Sequence, residues 1–221
     1  MIYYTISYSH PHRHFVDFEL STKTLGKEKM QFQLSAWRPG RYELANFAQN
    51  IQKWAVFDED NNPLAFKKIT KDLWEVETKG SEEITVVYNF YANQLDAGAC
   101  YLDENQLYLN PVHCMFYIDG RMKEDYIIEL DIPENALQFI ESTDREIVTQ
   151  LLLMKDYIDL LIPRGGGALI RRVSNEATMP VITGGIGVCH TYVDTSANLQ
   201  MAETVVDNAK TNRPTVCNAM D

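Results

Sequence analysis

The sequence predicts an α+β chain divided by domain: an N-terminal antiparallel β-sandwich followed by a small α/β, Rossmann-like unit. Three observations carry this. Residues 1–136 hold 21 of the 24 aromatic side chains, whereas residues 137–221 hold only Phe139, Tyr157 and Tyr192. Charge divides at the same place, with 13 Lys+Arg against 21 Asp+Glu (−8) in the first part and 7 against 10 (−3) in the second. The hydrophobic pattern also changes there, from short runs of period two to strand-like runs alternating with helical periodicity. The seam falls near Pro133–Leu137, so the expected domains are residues 1–132 and 133–221.

In the first part, "IYYTISY", "HFVDFEL", "MQFQLSAW", "KWAVFDE", "LWEVET", "EITVVYNFYA", "NQLYLN" and "YIIELDI" are short, rich in β-branched and aromatic residues, and read as strands. Several alternate, as Trp74 and Val76 do against Glu75 and Glu77. Turn chemistry separates them at "DEDNNP" (58–63), "TKGSEE" (78–83) and "IDGR" (118–121). Repeated short strands with such turns between them make a sandwich. One helical turn is expected in "YELANFAQN".

In the second part, "LQFI" is a short apolar run. "STDREIVTQLLLM" opens with Ser142 and Thr143 as cap candidates and has acidic residues in its first turn, so it reads as a helix. "YIDLLIP" is a buried-type strand, and "GGGALIRRVSNEA" is a glycine-rich turn leading into a helix. "MPVITG" and "VCHTYVD" are strands, and "SANLQMAETVVDNAK" is a helix with Ser196 as its cap. This alternation calls for a parallel sheet.

The net charge of −11 and pI near 4.9 argue against nucleic acid and anionic membrane as partners. No apolar run of membrane-spanning length is present, and "MIYYTISYSHPHRHF" lacks the basic start of a signal peptide. The four cysteines, Cys100, Cys114, Cys189 and Cys217, show no C-x-x-C pairing, so reduced thiols in the cytoplasm are expected. His10, His12 and His14 would share one side of a strand, but Pro11 interrupts the run and no further ligand is spaced to complete a set. No metal site is expected.

The stretches "YTISYSHPHRHFVDFEL", "AWRPGRYELANFAQNIQKW" and "VVYNFYANQLDAGACYLDENQLYLNP" resemble the N-terminal domain of glycyl-aminopeptidase-type zinc metallopeptidases. The Trp37-x-Pro39-Gly40-x-Tyr42 signature is the most specific part. In that family the β-sandwich precedes a catalytic domain with H-E-x-x-H, a motif missing from these 221 residues. The resemblance therefore implies a noncatalytic module.

The stretches "PENALQFIESTDRE", "MKDYIDLLIPRGGGALIRRV", "ATMPVITGGIGVCHTYVD" and "NAKTNRPTVCNAMD" resemble gamma-glutamyl phosphate reductase, of the aldehyde dehydrogenase superfamily. They run from Pro133 to Asp221 and match only the middle of such an enzyme. The resemblance implies an NADPH-dependent reduction of glutamyl 5-phosphate in proline biosynthesis, passing through a thioester on a cysteine. It makes Cys217 the nucleophile and places Arg164, Gly165, Gly166 and Gly167 beside the nicotinamide cofactor, at a helix start suited to an anion. Thr183-Gly184-Gly185 departs from the Glu-Thr-Gly usual there. Lys210, Asn212 and Arg213 precede the thiol and could attract an anionic substrate. With the chain stopping just past Cys217, the expectation is a fusion-like chain whose reductase fragment is inactive alone and binds no cofactor tightly.

Overall fold

The structure is a computed structural model that describes residues 1–38, 44–96, 99–133, 136–184, 188–212 and 219–220. Two compact units divide the chain, Met1–Gln138 and Phe139–Asp221. The chain is α+β, with its sheets in the first unit.

The strands of the first unit are β1 (Ile2–Ser7), β2 (Phe15–Lys23), β3 (Lys29–Gln33), β4 (Ile51–Asp58), β5 (Phe66–Thr70), β6 (Leu73–Glu77), β7 (Glu83–Tyr91), β8 (Tyr101–Leu102), β9 (Leu107–Tyr108), β10 (Tyr117–Ile118) and β11 (Tyr126–Asp131). A one-turn helix, α1 (Pro111–Cys114), precedes β10. One sheet has the order β11-β1-β2-β7-β4, the second β10-β3-β6-β5, and β8 and β9 form a small ribbon. Alternation decides what each strand buries. Tyr4 and Ile6 of β1, Phe18 and Leu20 of β2, and Val86 and Tyr88 of β7 face inward from the larger sheet. Phe32 of β3 and Trp74 and Val76 of β6 face inward from the smaller. All join one core.

Phe116, between α1 and β10, ties the two layers together. Its ring meets Trp74 edge-on at 5.0 Å and Tyr88 edge-on at 4.9 Å, so it touches both sheets in the geometry aromatic quadrupoles favour.

One pair departs from the antiparallel pattern. β1 and β11 run parallel, from Ile2 opposite Tyr126 to Ser7 opposite Asp131. The whole sandwich lies between them in sequence, a connection long enough to permit the parallel sense. β5 has no counterpart among the predicted strands. It is an exposed edge whose lysines defeat the alternation test and suit an edge. Lys67 pairs with Glu75 at 3.2 Å, and the Lys68 ammonium sits 4.2 Å above the Trp74 ring. The turn expected in "YELANFAQN" is the 3₁₀ turn Phe47–Asn50.

The second unit contains α2 (Arg145–Leu151), α3 (Gly167–Glu176) and α4 (Leu199–Thr211). Asp144, not Ser142 or Thr143, caps α2 by accepting from Glu146 N–H at 2.9 Å. Asn198, not Ser196, caps α4 by accepting from Met201 N–H at 3.0 Å, while Ser196 is held in a turn by Asp194. α2 and α3 are tied by a hydrogen bond from the Arg172 guanidinium to Thr149, at 2.7 Å, and Thr178 donates to Leu152 O from both its N–H and its hydroxyl. Two segments predicted as strands meet in a single parallel bridge, Leu161 with Val181, a third makes one bridge, Cys189 with Met220, and among the described residues none extends into a strand.

Candidate functional site

The glycine-rich turn lies where the sequence puts it, between the Leu161 bridge and α3. Gly166 is the N-cap of α3 and makes no side-chain cap bond. The first helical hydrogen bond runs from Ile170 N–H to Gly166 O at 3.2 Å, so the N–H groups of Gly167, Ala168 and Leu169 come before the ladder begins. Such a terminus carries partial positive charge and suits an anion. A Cβ at Gly166 would meet nothing within 4 Å, so the turn is open on that side. Arg164 is exposed beside it.

Cys217, the predicted nucleophile, lies outside the described residues, as do Arg213 and Gly185. Lys210 and Asn212 end α4 and are exposed. The site the reductase likeness implies is therefore described only at its glycine turn.

The histidines of the first unit do not line a strand. Pro11–Arg13 is a 3₁₀ turn and His14 takes a left-handed conformation (φ 60°), because proline favours the first position of such a turn and ends the extended run. His10 and His12 meet edge-on at 5.9 Å. His14 instead points at Leu102 O, with Nδ1 at 2.5 Å, and its ring contacts Tyr91 and Tyr101. Among the described residues no three His, Cys, Asp or Glu side chains gather as a metal site would require.

Sequence reasoning missed a polar cavity of about 310 Å³ in the first unit. Its wall includes Arg38, Asn46, Gln49, Asn93, Cys100 and His113. The elements that build it lie far apart in sequence: the turn Phe47–Asn50, the end of β7, the loop before β8, and α1. Asn110-Pro111 is the one local signal, since Asn is a preferred N-cap and Pro a preferred first helical residue. Asn110 Oδ1 accepts from Val112 N–H at 3.3 Å, which starts α1 and buries His113 and Cys114. His113 stacks on Phe47, with ring centroids 4.0 Å apart.

Cys100 and Cys114 converge on the same capping residue. Cys100 Sγ accepts from Asn110 N–H at 3.4 Å and lies 3.8 Å from Asn110 O, to which Cys114 Sγ donates at 3.4 Å. The two thiols also interact directly. The neighbouring Cys114 thiol holds the Cys100 thiol below the ordinary thiol range, against the opposing effect of burial. The Cys100 thiol, and then burial, push Cys114 well above it. Both cysteines are free and buried.

The family profile for the "Peptidase M61 N-terminal domain" matches residues 3–157, from the second residue of β1 through α2. The chain belongs to this family. The M61-type unit is also similar in structure to an aminopeptidase N family protein from Idiomarina loihiensis, with a TM-score of 0.57 and 25% identity over 61% of this chain and 22% of that one. A second likeness covers a stretch that overlaps the first. The gamma-glutamyl phosphate reductase of Moorella thermoacetica is 61% identical over 89 residues, and that of Clostridium tetani 54% identical over 102 residues. These matches cover 40% and 46% of this chain but only 21% and 24% of the relatives. The M61-type chain thus carries a fragment similar to a reductase and spans less than a quarter of the reductases it matches. No helix in the described residues is long and apolar enough to cross a membrane.

Proposed function

We propose that residues 1–132 are a noncatalytic M61-type β-sandwich module, joined near Pro133–Leu137 to residues 133–221, a fragment of an NADPH-dependent glutamyl 5-phosphate reductase, and that these 221 residues do not catalyse that reduction alone. The observation that carries the reading is that, among the described residues of the second unit, α3 and its glycine turn are built while the neighbouring extended segments make only single parallel bridges. A dinucleotide site of this kind rests a helix N-terminus against the ends of adjacent parallel strands. Here the turn has the donors, and among the described residues the adjacent segments do not extend into strands.

The residues present fit one portion of the cofactor. The open N–H groups of Gly167, Ala168 and Leu169, with the Arg164 guanidinium, would hold an anionic group such as a phosphate. NADPH, when bound, would supply the hydride. Cys217 would supply the thiolate that displaces phosphate, and loop N–H groups would support that thiolate. Rate in such chemistry depends on orientation and on exclusion of water, which need walls on both sides of the thiol. The Thr183-Gly184-Gly185 stretch also lacks the carboxylate of the usual Glu-Thr-Gly, which removes a positioning group.

Steady-state assay of NADPH consumption with glutamyl 5-phosphate tests the reading. We expect no turnover above the no-enzyme rate, the same result for Cys217→Ala, and no saturable NADPH binding by fluorescence. Turnover in the wild type that disappears in Cys217→Ala would overturn it.

A further inference from the structure

The M61-type unit holds two free, buried thiols, Cys100 and Cys114. Neither belongs to the reductase chemistry. Cys100 and Cys114 converge on one residue, Asn110, and each sulfur is within hydrogen-bonding range of its backbone. Cys100 is the residue before β8, and Cys114 closes α1, so the two thiols bracket the loop that carries the β8–β9 ribbon. Their surroundings differ. Cys114 is enclosed in the core against Tyr88, whose hydroxyl donates to Cys114 O at 2.7 Å. Cys100 forms part of the wall of the polar cavity, and Cys114 does not.

We propose that Cys100 and Cys114 are a redox modification site, at which a low-molecular-weight disulfide oxidises the pair to an intramolecular disulfide. Cys100 is the attacking thiolate and Cys114 the resolving thiol. Cys100 Sγ attacks one sulfur of the small disulfide, the old sulfur–sulfur bond breaks, and a thiolate of the reagent leaves as the mixed disulfide forms. Cys114 then loses its proton to that departing thiolate and attacks Cys100 Sγ, which expels the second half of the reagent. That half takes up a proton from solvent, matching the one lost when the Cys100 thiolate formed. The protein loses two hydrogens and two electrons, and the small disulfide is reduced to two thiols. The division of roles follows the surroundings: Cys100 belongs to the wall of the cavity and Cys114 does not, so Cys100 is the thiol placed to meet a small disulfide first. Closing the bond would fix the loop that borders the cavity next to His113.

The test is incubation of the intact chain with glutathione disulfide, followed by denaturation, trapping of remaining thiols with N-ethylmaleimide and peptide mapping. The expected product is a peptide cross-linked between Cys100 and Cys114, with maleimide absent from both. Cys114→Ser should stop at one glutathione on Cys100, released by reductant, and Cys100→Ser should carry none on Cys114 over the same time. Cys114→Ala replaces the serine variant if circular dichroism shows that the hydroxyl prevents folding. Maleimide on both cysteines of the oxidised wild type would overturn the proposal. Glutathione settling on Cys114 rather than Cys100 would overturn the assignment of roles.

Discussion

The Tyr4 hydroxyl bonds both ends of one residue's backbone: it donates to Phe116 O at 3.1 Å and accepts from Phe116 N–H at 2.9 Å. The two residues are 112 positions apart, and both side chains are buried. β1 is thereby pinned to the segment whose ring touches both sheets. Tyr4→Phe keeps the ring and strands two buried backbone groups. Leaving such groups unsatisfied costs about 1–3 kcal/mol. Tyr88→Phe removes the hydroxyl that donates to Cys114 O and should cost about 1 kcal/mol. Urea denaturation of the two variants should rank Tyr4→Phe as the more destabilised, and the reverse order would show that the Phe116 bonds are not the larger contribution.

The same phenols predict an alkaline limit. Burial pushes both Tyr4 and Tyr88 far above the ordinary tyrosine value of 10.0. The folded chain therefore keeps protons that the unfolded chain releases above pH 10. Stability is complete below that pH and falls as pH rises past it. Urea midpoints measured from pH 8 to 11 should stay level and then drop. The drop should be shallower when both tyrosines are replaced by phenylalanine, and an unchanged slope would assign it to other groups.

An acid limit arises at Glu124. The Arg121 guanidinium grips it with two bonds, Nε to Oε1 at 2.6 Å and Nη2 to Oε2 at 2.7 Å, and the N-terminal ammonium adds a third at 3.1 Å. Arg121 is itself buried and donates to Lys23 O at 2.8 Å. Arg121 first, and the N-terminus second, lower the Glu124 carboxyl from 4.5 to about 2. A depressed carboxyl stabilises above its unfolded value and loses that contribution as pH falls through the folded one. Glu124→Gln should therefore melt below the wild type at pH 7, with the gap closing between pH 4.5 and 2. A gap of constant size would mean that shape, not charge, holds the pair.

Much of this architecture was legible in the sequence because half-buried strands write their burial as alternation. Phe18 and Leu20, or Trp74 and Val76, can be read inward without a structure. β5 could not, since both its faces are exposed and its lysines act through Glu75 and Trp74 of the neighbouring strand. β8 and β10 have two residues each, too few for any period. The parallel β1–β11 pair depends on where the chain returns after the rest of the sandwich, which no local pattern encodes. Cap positions slipped by one to two residues because Ser142, Thr143 and Asp144, or Ser196 and Asn198, are all competent caps, and tertiary geometry chooses among them. The glycine turn was legible because Gly165–Gly167 opens a helix. The Cys100–Cys114 pair was not, because it exists only once Asn110 has capped α1 and turned both thiols toward its own backbone.

The distribution of buried side chains predicts how the chain comes apart. The apolar core that holds Phe32, Trp74, Tyr88 and Phe116 takes its buried residues from Ile2 to Ile118, with Tyr126 packed against them. Among the described residues of the second unit only Leu152, Val173, Met179 and Ala219 are buried hydrophobics, while Phe139, Tyr157 and Tyr192 stand more than four-fifths exposed at 83%, 83% and 84%. Each large apolar side chain fully buried contributes about 1.5–3 kcal/mol, so four of them, one being alanine, fall short of the conformational entropy of ordering 80 or so residues at about 1–2 kcal/mol each. Exposed segments with few apolar contacts open first and are cut first. Limited proteolysis should therefore remove the second unit and leave a resistant piece ending between Asp131 and Ser142. A chain truncated after Gln138 should melt within about 4 °C of the full chain's main transition, since a loss of less than about 1 kcal/mol moves a domain of this size no further. Survival of the second unit as the resistant piece would reverse the ranking. A truncated chain that fails to fold would show that the sandwich draws on residues beyond Gln138.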